Sequence, residues 1–445
     1  MRQGELDHLD VGHRLDRLPV TALHLAAVTL CALGFSFDLF EIGLGNVLSA
    51  VFSAPPHALA PGDLSLLLSS VYVGAVVGAP LLGWCADRFG RRTTLAGVLL
   101  WLSVASLSAA LSRGVLELGV SRVLAGLALG AYPPLMMAYL TDLLPPRRRG
   151  LLTLVCIAVA SLGPAAGVFL VRWLTPLQPL GIEAWRWAFY VGTAGSALAG
   201  LLFFRLPESP RWLMARGRLV EAGDACTRFE RSRVVLSAGA EPAAVAATAA
   251  EAPPSAPLLR GPWPRVAAMF LLSPWATVAF PLLMGAVLMQ KGFKLSDTLL
   301  FVGLSTFGPF LGTLAASFVV DRIERRLALG ACAVLLLVSG LVFVASDTPL
   351  WLILSSTSFG VVGSVYVSAL TLYAAEVFPT RTRATSLSVA WGVNRVGAAV
   401  APLVLLPLLR GGGAMAMFAV IAAALVASLG VLAFSPRGQQ RQPVV

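Results

Sequence analysis

Charge is what this chain has least of. Only 12% of its 445 residues are Asp, Glu, Lys or Arg, where a soluble domain carries roughly 25%, and lysine is confined to Lys291 and Lys294. Histidine occurs only at 8, 13, 24 and 57, and the cysteines, at 31, 85, 156, 226 and 332, show no C-x-x-C spacing. Nothing in that pattern suggests a metal site, a disulfide framework or a histidine proton relay. There is no phosphate-binding loop and no nucleophile–base constellation, so neither a cofactor nor enzyme chemistry is expected. A net charge of +11 and a pI near 10.2 would suit a nucleic-acid partner only if the basic residues shared one soluble face. They do not.

Apolar sequence is abundant instead, at 57% of residues. Runs of about 20 residues, each long enough to cross a bilayer, lie near 21–47, 64–86, 93–112, 115–143, 150–174 and 184–205. A second set lies near 266–290, 297–320, 327–346, 349–375, 385–409 and 413–435. The fold class expected is an all-α membrane protein of twelve transmembrane helices in two groups of six. Arginines fall in alternate loops: at 2, 14 and 17, at 88, 91 and 92, at 147 to 149, through 205–265, at 322, 325 and 326, at 381 and 383, and at 437 and 441. The loops 48–63 and 345–349 have no Lys or Arg. By the positive-inside tendency, both termini and the 206–264 segment are expected on the cytoplasmic side. The first 20 residues are polar and the long run after them carries acids, which reads as a tail and a first membrane helix, not a cleaved signal.

The two groups are one unit written twice. The loop after the second run reads Gly83-Trp-Cys-Ala-Asp87-Arg88-Phe-Gly90-Arg91-Arg92, and the loop after the eighth reads Asp321-Arg322-Ile-Glu-Arg325-Arg326; 321 minus 87 is 234. The fourth run ends Asp142-Leu-Leu-Pro145-Pro-Arg-Arg-Arg149 and the tenth ends Glu376-Val-Phe-Pro379-Thr-Arg-Thr-Arg383, again 234 apart, as are Gly126 and Gly360 within them. Matching loops are separated by an even number of spans, so the two six-helix repeats are parallel.

With that repeat and the complete G-x-x-x-D-R-x-G-R-R loop from Gly83 to Arg92, the chain resembles the major facilitator superfamily of secondary transporters. The resemblance implies alternating access, a small-molecule substrate, a monomer, and a gating role for Gly83, Asp87, Arg88, Gly90, Arg91 and Arg92, with Asp321, Arg322, Arg325 and Arg326 as their second-half echo. In physical terms Gly83 permits close helix packing, Asp87 suits the positive N-terminus of a facing helix, and the arginines tie one end by ion pairs. Asp142 and Glu376 are read as gating acids with Arg149 and Arg383. Pro207-Glu-Ser-Pro-Arg-Trp-Leu213 is similar to a signature of the sugar-porter, organic-ion and metabolite:proton branches. It opens a segment expected to form short helices to about residue 233, followed by an Ala/Pro-rich linker over 237–257. A sugar substrate is disfavoured, because helix seven lacks the Gln and Asn/Tyr pattern of sugar porters. Gly163-Pro-Ala-Ala-Gly167 only partly echoes an antiporter motif and is better explained as a bend in helix five.

Helix one places two carboxylates in an apolar run: Gly34, Asp38, Glu41 and Gly45 follow i, i+4, i+7, i+11, one stripe of a helix. An acid at membrane depth costs at least ~2.5 kcal/mol on insertion scales and usually marks a route for protons, ions or substrate. Helix four carries Arg122 on a face with Gly126 and Gly130, so it needs an anion. The resemblance matches Asp38 and Arg122 to the acid–arginine pair of proton-coupled branches, with a permanent orienting pair as the alternative. Glu41 is either a second protonatable or substrate-facing group or an acid held by Asn46 or Arg122. On helix eleven, Arg395 argues by resemblance for an anionic substrate, which a guanidinium can hold with two hydrogen bonds; otherwise it snorkels or pairs with Glu376. Asn394, Trp391, Tyr132, Tyr366 and Phe35 are the remaining substrate-site candidates, with Phe37 also able to line a cavity.

The organisation expected is a tail (1–20), a six-helix bundle (21–205), a cytoplasmic loop with short helices and linker (206–264), a second bundle (265–435) and a tail (436–445). The function expected is proton-coupled import of a small organic anion, such as an aromatic acid, across the cell's inner membrane. The alternatives are an exporter or exchanger and, of another class, a non-transporting sensor or receptor.

Overall fold

The structure, a computed structural model, describes residues 14–236, 263–319, 323–378 and 383–435. Six long helices form the first half: α1 Ala22–Val51, α2 Pro61–Phe89, α3 Arg91–Leu111, α4 Val115–Leu143, α5 Arg148–Leu174 and α6 Ala184–Phe203. The second half has α7 Trp263–Gln290, α8 Leu295–Ala316, α9 Arg325–Ala345, α10 Pro349–Val377, α11 over 383–412 and α12 over 414–433. The last two run on from one another except at Gly413 (φ 78°, ψ 179°), where the chain turns back. Even α6, with 20 residues, is about 30 Å long, enough to cross the hydrocarbon core. This is an all-α membrane fold of twelve spans in two parallel repeats.

Local sequence explains where the helices begin and bend. Prolines occupy the first turn at Pro61 and Pro349, where a missing N–H costs nothing. α4 is interrupted at Gly130-Ala131 ahead of Pro133-Pro134, and α5 at Ser161-Leu162 ahead of Pro164. The α5 bend admits α1: a Cβ on Gly43 would come 2.7 Å from Pro164 Cα, and one on Gly163 would come 3.1 Å from Phe40 N. α7 passes through Pro274 into a π turn over Trp275–Ala279.

Helix packing shows the repeat directly. α2 and α4 meet at glycines, with a Cβ on Gly126 only 3.0 Å from Gly74 Cα; α8 and α10 meet identically, with a Cβ on Gly360 3.2 Å from Gly308 Cα. Each of these positions lies 234 from its counterpart. Small residues let backbones approach where lipid supplies no hydrophobic drive.

The two ends of the bundle differ. One, here the basic end, carries Arg88, Arg91, Arg92 and the 206–236 segment. There the short helices Pro210–Ala215 and Leu219–Glu230 pack Trp212, Leu213, Ala222, Ala225 and Cys226 around Leu15. Arg14 donates twice to Glu230 (2.9 Å each), Arg211 pairs with Asp16 at 2.5 Å, and strand Val20–Thr21 pairs antiparallel with Val234–Leu236. At the far end the halves touch. Leu282 of α7 sits where a Gly45 side chain would project, and Ala50 Cβ lies 2.9 Å from the Cβ position of Gly285. Arg172 of α5 donates to Ser296 O at 3.3 Å, and Arg410 of α11 to Leu59 O at 2.6 Å.

Candidate functional site

Arg122 pairs with Glu41 and not with Asp38, which corrects the partner expected from the sequence. Arg122 Nη1 lies 2.8 Å from Glu41 Oε2 and Nη2 donates to Glu41 O at 3.0 Å, with both side chains almost fully buried. Ser106 Oγ donates to the other carboxylate oxygen, and the guanidinium stands 5.7 Å from the Phe189 ring centroid. Gly192 leaves the room, since a Cβ there would fall 2.8 Å from Glu41 Oε1. The reason is helical geometry. At about 100° per residue, Glu41 points roughly 60° away from Asp38 and roughly 40° away from Gly45. Gly34 and Glu41 therefore face α3, α4 and α6 inside the first half, while Gly45 faces α7.

Asp38 is left bare. It is 1% exposed, and neither carboxylate oxygen has a hydrogen-bond partner among the described residues. The cation acting on it is Arg395 of α11, which acts also on Tyr72 of α2. Arg395 is closely surrounded by protein yet partly accessible, as a residue lining an internal space would be. Its guanidinium lies 5.9 Å from the Trp391 ring centroid, and Trp391 meets Phe270 of α7 edge-on at 5.5 Å. Arg395 neither snorkels to the basic end nor pairs with Glu376, whose partner is Arg325.

Asn394 is committed elsewhere, contrary to its expected place at the substrate. Its Nδ2 donates to Phe270 O at 3.1 Å and to Ser273 Oγ at 2.8 Å. Pro274 has no N–H to offer the carbonyl four residues back, which is that of Phe270, so Asn394 satisfies a carbonyl freed by the α7 kink. Tyr132 is fully buried and donates to Cys31 O at 3.2 Å, with Phe35 stacked on it at 6.1 Å. Its second-half counterpart, Tyr366, is buried beside Ser428 and Cys332 in the interior of its own half. The described side chains thus gather Asp38, Arg395, Tyr72 and Trp391 between the halves, and leave Asn394, Tyr132, Phe35 and Tyr366 in packing positions.

At the basic end Asp142 is held by Arg91 (2.7 Å) and by Ser209 Oγ (2.6 Å), whereas Arg149 donates to Leu144 O at 3.3 and 3.2 Å. In the second half Arg325 Nε lies 2.9 Å from Glu376 Oε1. Both acids therefore have the arginine of the preceding loop as partner, and for Asp142 this replaces the Arg149 expected. Arg91–Asp142 and Arg325–Glu376 are the same contact at an offset of 234. Arg92 Nη1 donates to Leu206 O past the end of α6, and Arg326 Nη2 to Ala433 O at the end of α12, each at 3.0 Å, a favourable place for a cation. Asp87 and Arg88 are exposed, and the Asp87 carbonyl accepts from Trp212 Nε1 (2.8 Å) and Arg216. Gly83, expected at a close packing, borders open space, for a Cβ there would meet nothing within 4 Å. Gly90 (φ 106°) begins α3, and Glu208 fills the place a side chain would take there. Asp321, Arg322 and the Arg383 side chain lie outside the described residues.

Sequence reasoning missed Tyr72 and Ser106, and met Glu208 and Ser209 only within the Pro207–Leu213 signature, without their roles. Glu208 accepts from the N–H groups of Arg92 (2.8 Å) and Thr93 (3.3 Å) and so caps α3. A carboxylate that arrives from more than a hundred residues away leaves no local capping pattern. Tyr72 carried a faint signal, as a hydroxyl in the middle of an apolar run.

Similar proteins, among them two relatives and one solved structure, span most of the chain. The niacin transporter NiaP of Acinetobacter baylyi is 25% identical over 413 residues, covering 89% of this chain and 90% of that one. The gallate transporter of Pseudomonas putida is 28% identical over 411 residues, covering 89% and 88%. The inward-open xylose transporter XylE from E. coli superposes with a TM-score of 0.72 at 16% identity, over 94% of this chain and 98% of that one, a likeness of fold alone. A Major Facilitator Superfamily profile matches residues 26–402, so the chain belongs to that superfamily and is a multi-pass membrane transporter, not an enzyme.

Proposed function

We propose that the protein imports a small organic anion, an aromatic carboxylate, together with protons across the cell's inner membrane, with both termini and the 206–264 segment on the cytoplasmic side. The observation that carries this is Arg395, partly accessible between the halves, 5.9 Å from the Trp391 ring centroid, and lacking any hydrogen-bond acceptor among the described residues. A planar guanidinium matches a carboxylate with two parallel hydrogen bonds, and an adjacent indole matches an aromatic ring. Niacin and gallate, named for two similar carriers, are both small aromatic acids.

The residues then divide the work. Arg395 binds the carboxylate and Trp391 its ring. Asp38 takes the proton, since a bare buried carboxylate is costly and a proton removes the charge. The Glu41–Arg122 pair, already satisfied by Ser106, holds α1 against α3 and α4 while the halves rock. The Gly163-Pro164 bend is accounted for by its contact with α1, so it lends no support to export.

The test is uptake into proteoliposomes of labelled nicotinate, gallate and 4-hydroxybenzoate, with an organic cation as control, under an imposed pH gradient. Accumulation of an acid driven by acid outside supports the reading. Preferential uptake of the cation contradicts the role of Arg395, and uptake indifferent to the gradient contradicts proton coupling.

A further inference from the structure

Asp38, Tyr72 and Arg395 come from three helices, each near the midpoint of its span: α1 covers 22–51, α2 61–89 and α11 383–412. α11 packs along α2, so the three meet at one depth between the halves. We infer that Arg395 serves two anions in turn, Asp38 in the empty carrier and the substrate carboxylate in the loaded one. Tyr72 is the second donor to the substrate, and one proton enters with each anion. This deepens the anion-carrier reading and rests on it.

The accessibility of the three groups sets their order. Both Asp38 oxygens are sealed from solvent. The Tyr72 hydroxyl and the Arg395 guanidinium are neither hydrogen-bonded nor sealed off among the described residues. An incoming carboxylate therefore meets Arg395 and Tyr72, with Asp38 on the closed side. Arg395 has five N–H donors and Tyr72 one O–H, enough to satisfy both substrate oxygens.

Charge then determines stoichiometry. In the empty carrier, Asp38 and Arg395 sum to zero. A substrate anion added to that pair leaves one uncompensated negative charge in a weakly polarisable interior, where it is expensive. A proton on Asp38 restores neutrality. The other groups facing the site offer no substitute. Glu41 is turned into the first half and committed to Arg122, Tyr132 of α4 is a neutral phenol, and the charged residue of α7, Arg265, lies in its first turn. One anion and one proton move inward together, both are released at the basic end, and no net charge crosses.

The experiment uses the full-length protein in proteoliposomes with labelled nicotinate, gallate and 4-hydroxybenzoate. A pH gradient is set at zero voltage, and then the same gradient is combined with a potassium-diffusion potential of either sign. One-for-one cotransport accumulates the acid by the same factor as the proton ratio and ignores the voltage. Accumulation that changes with voltage overturns this stoichiometry while leaving the anion-carrier function standing. No uptake of any of the three acids removes the function and the stoichiometry with it. Tyr72→Phe separates the second donor from a packing residue: loss of a hydrogen bond to a charged group predicts about tenfold weaker apparent affinity with turnover kept. An unchanged KM overturns its role.

Discussion

At the scale of single residues, the buried charges divide into a closed set and an open one. Glu41, Arg122 and Ser106 satisfy one another, and removing one member strands the rest. Arg122→Ala is expected to cost about 3–5 kcal/mol, the usual penalty for leaving an unpaired buried charge. Melting of the purified protein in detergent should show a drop of that size for Arg122→Ala and a smaller one for the double change Arg122→Leu/Glu41→Leu. Equal melting of wild type and single variant would contradict the closed pair. Both acids and both arginines were legible in the sequence, because charge in an apolar run is conspicuous. Their pairing was left open, with Glu41–Arg122 among the alternatives: residues 38 and 41 are less than a helical turn apart, and which of them meets Arg122 depends on how α1 is rotated. Asn394 was misjudged for a related reason, since the carbonyl it serves belongs to Phe270 on another helix and is freed by Pro274.

At the scale of elements, the spans fall within a few residues of the apolar runs, and the short helices after α6 follow from their charge and periodicity. The 14–21 segment is different. Its two strand residues and the arginine before them are held by groups more than two hundred positions away, and so have no local signature. The hydrogen bonds from Arg14 hold the Glu230 carboxyl below its ordinary 4.5. A depressed carboxylate contributes stability above the unfolded value and loses it as pH falls through the folded one. The clasp should therefore be intact at neutral pH and loosen below 4.5. Hydrogen exchange of the amides in 14–23 should be slow at pH 6 and, after correction for intrinsic rates, less protected at acid pH, with Arg14→Ala already loose at pH 6. Identical protection in the variant would show that the strand pairing alone holds the segment.

At the scale of the whole molecule, what repeats is the framework and what does not repeat is the site. Gly74–Gly126 recurs as Gly308–Gly360 and Arg91–Asp142 as Arg325–Glu376, the helix contacts and end clamps that two rocking bodies share. Arg122 has Ser356 at the repeat offset, and Arg395 has Ser161. A symmetric frame thus holds an asymmetric set of charges, in keeping with a single substrate site between the halves. The far-end closure offers a test of rocking. In a background without the five native cysteines, Ala50→Cys with Gly285→Cys should cross-link α1 to α7, stop transport, and recover it on reduction. Transport that survives a complete cross-link would mean the far end need not open.

The central claim is that Asp38 carries the proton that accompanies the anion, and Asp38→Asn tests it most directly, because the amide keeps the shape and cannot titrate. Proteoliposomes loaded with unlabelled acid should still exchange it for labelled acid outside, while uptake driven by a pH gradient should fall to background. Gradient-driven accumulation at the wild-type level in Asp38→Asn would contradict the account.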